Sequence, residues 1–270
     1  MRTALLIILF VLPCWSHYVK AQSSADSLQR KAFYRYLNTI RFQRELNESE
    51  VERYVPLAEQ FDGRTFKGAG MLGRTPNYYK LLIDYTCDRK QTCKGTLLVT
   101  YNPDGSYNSS LTFTESMGSC LVGSLTNFLR QNKDMIITRQ GFWQNSCSEK
   151  GEETEMNLYI MREYRISDDG YLKLVHHRMV DNERRYPNVS IHNMSDLDLE
   201  VYSNEELDYM RNELFASYGY RFKSERWAYV FEDKPWYQPK VSEVPLEWLS
   251  TIEKENLELI LAQKAKRKKP

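Results

Sequence analysis

His176 and His177 are adjacent in a stretch whose apolar residues alternate, so both fall on one expected strand. Successive strand side chains point to opposite faces, and two such imidazoles cannot hold one metal ion from that strand. His192 stands apart. No G-x-S-x-G or H-E-x-x-H run accompanies any of the three, so a histidine-based hydrolase site has no support in the spacing. Asp168 and Asp169 place two carboxylates together, but Ser167-Asp168-Asp169-Gly170 has the composition of a turn, which accounts for them. The reading assigns no catalytic residue, no metal ligand and no cofactor.

The cysteines have a different chemistry. Cys87, Cys93, Cys120 and Cys147 remain once the N-terminal leader described below is set aside. An even number in an exported chain favours disulfides, and four cysteines allow three pairings that the sequence does not choose between. Proximity favours Cys87–Cys93 and Cys120–Cys147, worth about 2 and about 3.5 kcal/mol on loop-closure entropy. The Cys-x5-Cys spacing lacks the second close pair or nearby histidines of a zinc site. Oxidised sulfurs leave no thiolate nucleophile.

The polar and aromatic candidates for binding lie near the C-terminus: Arg211, Asn212, Trp227, Trp236 and Tyr237. A guanidinium suits bidentate contact with a carboxylate or phosphate, which would make Arg211 an anion clamp. The competing expectation pairs Arg211 with Asp208, three residues earlier on the same helix face, and has Asn212 and Asn256 satisfy backbone groups. Trp227, Trp236, Tyr237 and Trp248 could stack against a ligand. In a small domain they are also the bulk available for a core, and core is the stronger expectation.

The elements that carry these residues divide the chain. Met1-Arg2, an apolar run from Ala4 to Leu12 and the close Val19-Lys20-Ala21 have the layout of a secretory signal peptide over residues 1–21, cleaved after Ala21. The run is shorter than the ~20 residues of a membrane-spanning helix, so no transmembrane span is expected after cleavage. Pro13 before Cys14 argues against a lipid-modified cysteine. The expected location is periplasmic or extracellular. A formal net charge of +1 supplies no global field to recruit nucleic acid or membrane.

A β-rich domain with an N-terminal helix is expected over 26–180. Leu28, Ala32, Tyr36 and Ile40 form one apolar stripe, with Phe33 and Leu37 beside them. A short helix is expected from Glu50 to Phe61, kinked at Pro56. Glycines at 63, 68, 70 and 73 predict a loop. From Tyr78 the period becomes two. Asn102-Pro103-Asp104-Gly105 and Ser167-Asp168-Asp169-Gly170 predict hairpins, Leu121–Arg130 reads as strand or helix, and Met135–Thr138 as strand. The fold class is α+β: a helix and an antiparallel meander, either an open sheet or a small barrel, followed by a small all-α module. The 19 tyrosines suit strands and their core. Residues 181–202 are polar and are taken as a linker, 203–262 as the helical module and 263–270 as a basic tail that could touch anionic polymer or stay solvated.

In the module, Ser203 with Glu206 and Ser250 with Glu253 are two capping boxes. Leu207, Met210 and Leu214 share a helix face, and Gly219 stands where a left-handed cap is needed. Glu206-Leu207, then Arg211-Asn212-Glu213-Leu214-Phe215-Ala216-Ser217-Tyr218-Gly219-Tyr220-Arg221-Phe222, Phe231, Trp236-Tyr237-x-Pro239 and Glu253-Lys254-Glu255-Asn256-Leu257 resemble the YARHG domain family over roughly 203–262. The resemblance implies a bacterial extracytoplasmic module found beside peptidases and in lipoproteins, with no established chemistry. The naming motif reads Phe-Ala-Ser-Tyr-Gly here, so an activity resting on its Arg and His has no residues to carry it. A bacterial source also makes the sequons at Asn47, Asn108, Asn188 and Asn193 irrelevant.

The functional expectation is an exported, non-enzymatic binding or structural protein of the cell envelope whose partner is an envelope polymer, a peptide or a protein. The alternatives are an envelope hydrolase with its site in the β domain, and a small-ligand carrier if the sheet closes.

Overall fold

The computed structural model describes residues 12–56, 65–86, 93–119, 122–132, 134–144, 156 and 158–267. Two helices lead, α1 (Leu12–Arg41) and α2 (Glu48–Tyr54). Eight antiparallel strands follow in sequence order as one open sheet: β1 (Phe66–Arg74), β2 (Tyr79–Thr86), β3 (Cys93–Tyr101), β4 (Tyr107–Gly118), β5 (Val122–Gln131), β6 (Met135–Gln144), β7 (Leu158–Ile166) and β8 (Leu172–Asp181). Among the described residues the helices α3 (Asn188–Ile191), α4 (Asp196–Glu200), α5 (Asn204–Ala216), α6 (Glu225–Glu232) and α7 (Thr251–Arg267) follow, with a 3-10 turn at Leu246–Trp248. The class is α+β, and of the two architectures expected the sheet is the open one. The carrier reading, which required closure, loses its basis.

The chain forms two compact units, residues 1–112 with 167–171, and residues 113–166 with 172–270. In the first, α1 buries Phe33, Tyr36, Leu37 and Ile40 of its expected stripe, while Leu28 is exposed. Those side chains share a core with Tyr54, Tyr79, Leu81, Ile83, Val99 and Tyr101. Tyr36 and Tyr54 stack with ring centroids 4.4 Å apart, and the Tyr36 and Tyr101 hydroxyls lie 3.2 Å apart. Burial pushes the Tyr36 and Tyr101 phenols well above their ordinary range.

Two readings need correction. The glycine-rich stretch is not all loop: residues 66–74 form β1, with bulges between Gly68 and Gly70 and between Met71 and Gly73. A Cβ on Gly68 would lie 2.5 Å from the Cα of Ile40, so the glycine is needed for close helix-to-strand approach. The short second helix starts at Glu48, capped by Asn47, and ends at Tyr54, before Pro56 rather than bending through it. Residues 57–64 lie outside the described residues, as do Cys87, Cys120, Cys147, Met1–Val11 and Lys268–Pro270. No described helix is long and apolar enough to cross a membrane.

In the second unit the strands and the helices share one interior. Ile137, Met161 and Val180 from β6, β7 and β8 cluster with Ile191 of α3 and Ile252 of α7. Val189, Leu199, Leu207, Met210, Leu214, Leu257 and Ile260 fill the space among α3, α4, α5 and α7. The polar stretch 181–202 is folded into α3 and α4 and buries Arg184, Val189, Ser190, Ile191 and Leu199. Of the ambiguous stretch 121–130, the described residues from Val122 on belong to strand β5.

Candidate functional site

Polar side chains of the strands position the helical module. Glu163 on β7 is buried and accepts from the Thr251 backbone N–H at 2.6 Å and from its hydroxyl at 3.0 Å. An anion there opposes the positive end of the helix macrodipole at the start of α7. One residue earlier, Ser250 and Glu253 close the expected capping box. Glu253 is fully buried. Its carboxylate accepts from Arg178 of β8 and, at 2.6 Å, from the Tyr218 hydroxyl. Burial by itself would raise the Glu253 carboxyl, but Arg178, Tyr218, Ser190 and the Ser250 N–H outweigh it and hold it below the usual glutamate range. Arg178 also lies 3.6 Å over the Tyr218 ring and donates to the Ser217 hydroxyl at 2.6 Å.

A second buried pair holds the segment before α3. Glu213 accepts from the backbone N–H groups of Arg185 and Tyr186 at 2.7 and 2.8 Å, and Arg184 Nε lies 3.8 Å from it. Burial raises Glu213, only partly offset by Arg184 and those amides, and burial lowers Arg184 to about 10. Asn256 ties the α3–α4 connection to α7, accepting from Met194 N and donating to the Val189 and His192 carbonyls. That is the backbone role expected of it. Asn212 likewise donates to the Asp208 carbonyl at 2.8 Å.

Within this frame the named aromatics surround Phe231, which is fully buried on α6. Rings of Tyr209, Phe222, Trp227, Trp236 and Tyr237 stand 5.3–6.0 Å from it. Trp227, Trp236 and Tyr237 are half-buried, packing inward with one edge in water. Gly219 at φ +79° ends α5 with Tyr220 N–H bonded to the Phe215 carbonyl and Gly219 N–H to the Ala216 carbonyl. The chain then runs extended, and Tyr220 bridges Val241 in parallel.

Two open grooves flank this aromatic lobe. One, of about 480 Å³, lies between α5 and α6, with Tyr209, Trp236, Lys234 and Glu213 on its walls. The other, of about 450 Å³, brings together Arg211, Asn212, Phe215, Phe222, Lys223 and Glu243. The sequence candidates therefore separate, with Trp236 at the first groove and Arg211 and Asn212 at the second.

Arg211 does not make the expected pair with Asp208. Lys264 of α7 takes that carboxylate. Arg211 instead lies 5.2 Å over the Phe215 ring and donates to Asn212 Oδ1 at 3.3 Å. Among the described residues it has no carboxylate partner, whereas Arg130, Arg178, Arg184, Arg185 and Arg226 each do.

The histidines are not gathered into a site. His176 Nε2 lies 2.9 Å from the Trp248 carbonyl, and His192 takes a bond from Arg139 at 2.8 Å. Burial, then Arg139, lowers the His192 imidazole. Neither bond is to a carboxylate or hydroxyl of the kind that orients a general base. No group of three or more His, Cys, Asp or Glu among the described residues is arranged to hold a metal ion.

In comparison with known proteins, the model of the YARHG domain matches residues 185–265, less than a third of the chain. The match begins eighteen residues before Ser203 and takes in α3 and α4. No curated protein and no solved structure matches the chain. In the family's naming motif, Ala216 and Gly219 keep their packing and turn roles. Ser217 and Tyr218, at the Arg and His positions, are the residues that receive Arg178 from β8. Sequence reasoning missed Arg178, Glu163 and Arg184, because nothing local marks partners 29 to 88 residues away.

Proposed function

We propose that this chain is an exported, non-enzymatic protein of the bacterial cell envelope that binds a peptide through its YARHG module. Export rests on the leader-like residues 1–21 and on the extracytoplasmic character of the domain. Disulfide formation in that compartment is supported by the even number of cysteines left after the leader, Cys87, Cys93, Cys120 and Cys147. Peptide binding is the role suggested for YARHG domains.

The single observation that carries the binding site is Arg211, a guanidinium 5.2 Å over the Phe215 ring and bonded to the Asn212 amide oxygen, at a groove and without a carboxylate partner among the described residues. Pre-ordering a planar donor reduces the entropy lost when a ligand arrives. Trp227, Trp236 and Tyr237 then act as the packed wall that shapes the lobe. The expected basic tail is in its described part the end of α7, where Lys264 pairs with Asp208, Lys266 with Asp196, and Arg267 donates to the Tyr202, Leu199 and Glu200 carbonyls.

The test is capture from envelope extract with the tagged mature protein, followed by intact mass measurement of material from the native host. The proposal predicts an enriched peptide or protein, loss of residues 1–21 and no free thiols. Equal capture by wild type and Arg211→Gln, or a retained leader, contradicts it.

A further inference from the structure

We infer that the groove at Arg211 selects a carboxylate of an acidic peptide segment with an apolar residue beside it. This rests on the peptide-binding reading and adds the sign of the ligand's charge.

Three features lead there. Charge comes first: the groove presents Arg211 and Lys223 against one carboxylate, Glu243. None of the three has an ion-pair partner among the described residues, so the excess positive charge faces solvent. Geometry comes second. Arg211 Nη1 donates to Asn212 Oδ1 and Cζ lies 5.2 Å over the Phe215 ring, which leaves the other guanidinium donors for the paired oxygens of a carboxylate. Shape comes third: Phe215, Tyr220, Phe222 and Val244 give the groove an apolar wall, on which a neighbouring side chain can rest.

Arg211 and Lys223 attract and Glu243 repels any anion, a phosphate more strongly on both counts than a carboxylate, so the phosphopeptide arm of the experiment separates the two. A basic segment would meet Arg211 and Lys223 directly. The other groove, with the three carboxylates of Glu183, Glu213 and Asp233 against Arg185 and Lys234, carries acidic rather than basic side chains in excess.

The experiment uses the full mature chain and fluorescence anisotropy of four labelled hexapeptides: one with internal Leu-Glu, its Leu-Gln counterpart, a Leu-phosphoserine counterpart, all three C-terminally amidated, and the Leu-Gln peptide as a free acid. Binding of either carboxylate-bearing peptide at least tenfold tighter than the amidated Leu-Gln peptide supports the inference. Arg211→Gln must erase that preference and Lys223→Gln, at an exposed position, must reduce it, both with wild-type melting curves. Should Arg211→Gln fail to fold, Lys223→Gln alone decides. Equal binding of acidic and amidated neutral peptides overturns the inference and leaves the peptide reading standing, as does tighter binding of the phosphopeptide. If none of the four binds, the inference and the reading beneath it both fail.

Discussion

Arg178 on β8 lies 3.6 Å over the ring of Tyr218 at the end of α5, and the two converge on the buried carboxylate of Glu253. This couples the helical module to the strands beneath it through a charge that neither could bury alone. Isolated burial of a carboxylate is prohibitively costly, and pairing with a well-placed guanidinium and hydroxyl offsets that cost. Glu163 repeats the device at Thr251.

Breaking this pair from one side is therefore expected to be severe. Arg178→Met leaves Glu253 buried without its cation and should lower unfolding free energy by about 3–5 kcal/mol in urea titration. Adding Glu253→Gln to Arg178→Met should recover part of the loss, because the uncompensated charge is gone.

Acid should weaken the same junction. Glu253 is held below the ordinary glutamate value of 4.5, so its contribution is present above that pH and is lost as pH falls through its folded value. Glu213 is raised by burial, so its ionisation costs stability as pH rises from 4.5 through its folded value. Urea midpoints of wild type and Glu253→Gln, measured across a pH series, should converge as pH falls below 4.5. A constant gap would mean that Glu253 does not titrate as described.

Gly219 should tolerate no side chain. At φ +79° an added Cβ is strained and would lie 2.7 Å from the Gln238 carbonyl oxygen. Gly219→Ala is expected to cost about 1–3 kcal/mol, read as a lowered melting temperature.

Asn256→Ala should separate the α3–α4 connection from α7. It removes one acceptor and one shared amide, leaving Met194 N–H and the Val189 and His192 carbonyls without that partner. The expected loss is about 2–3 kcal/mol, with faster amide exchange at Met194.

Much of this architecture was legible in local pattern. The α1 stripe, the two hairpin turns, both serine capping boxes and the Gly219 stop each depend on a few neighbouring residues, and each is formed. β1 was hidden because its glycines signal loops when read locally, whereas Gly68 serves contact with Ile40, 28 residues away. The folding of 181–202 was hidden for a related reason. Its short helices have little propensity of their own and gain order from Asn256, Glu213 and the cluster around Val189. At the candidate site, Arg211 was legible as a residue type. Its lack of an ion-pair partner was not, since that depends on Lys264 reaching Asp208 from another helix.

The most direct test of the Arg211 groove is backbone amide shift mapping of the labelled mature protein during titration with the internal Leu-Glu peptide. The account predicts saturable shifts concentrated at Arg211–Ser224 and Ser242–Val244, absent in Arg211→Gln. Shifts confined to the opposite groove at Glu183–Arg185 and Tyr229–Trp236, or unchanged by Arg211→Gln, would contradict it.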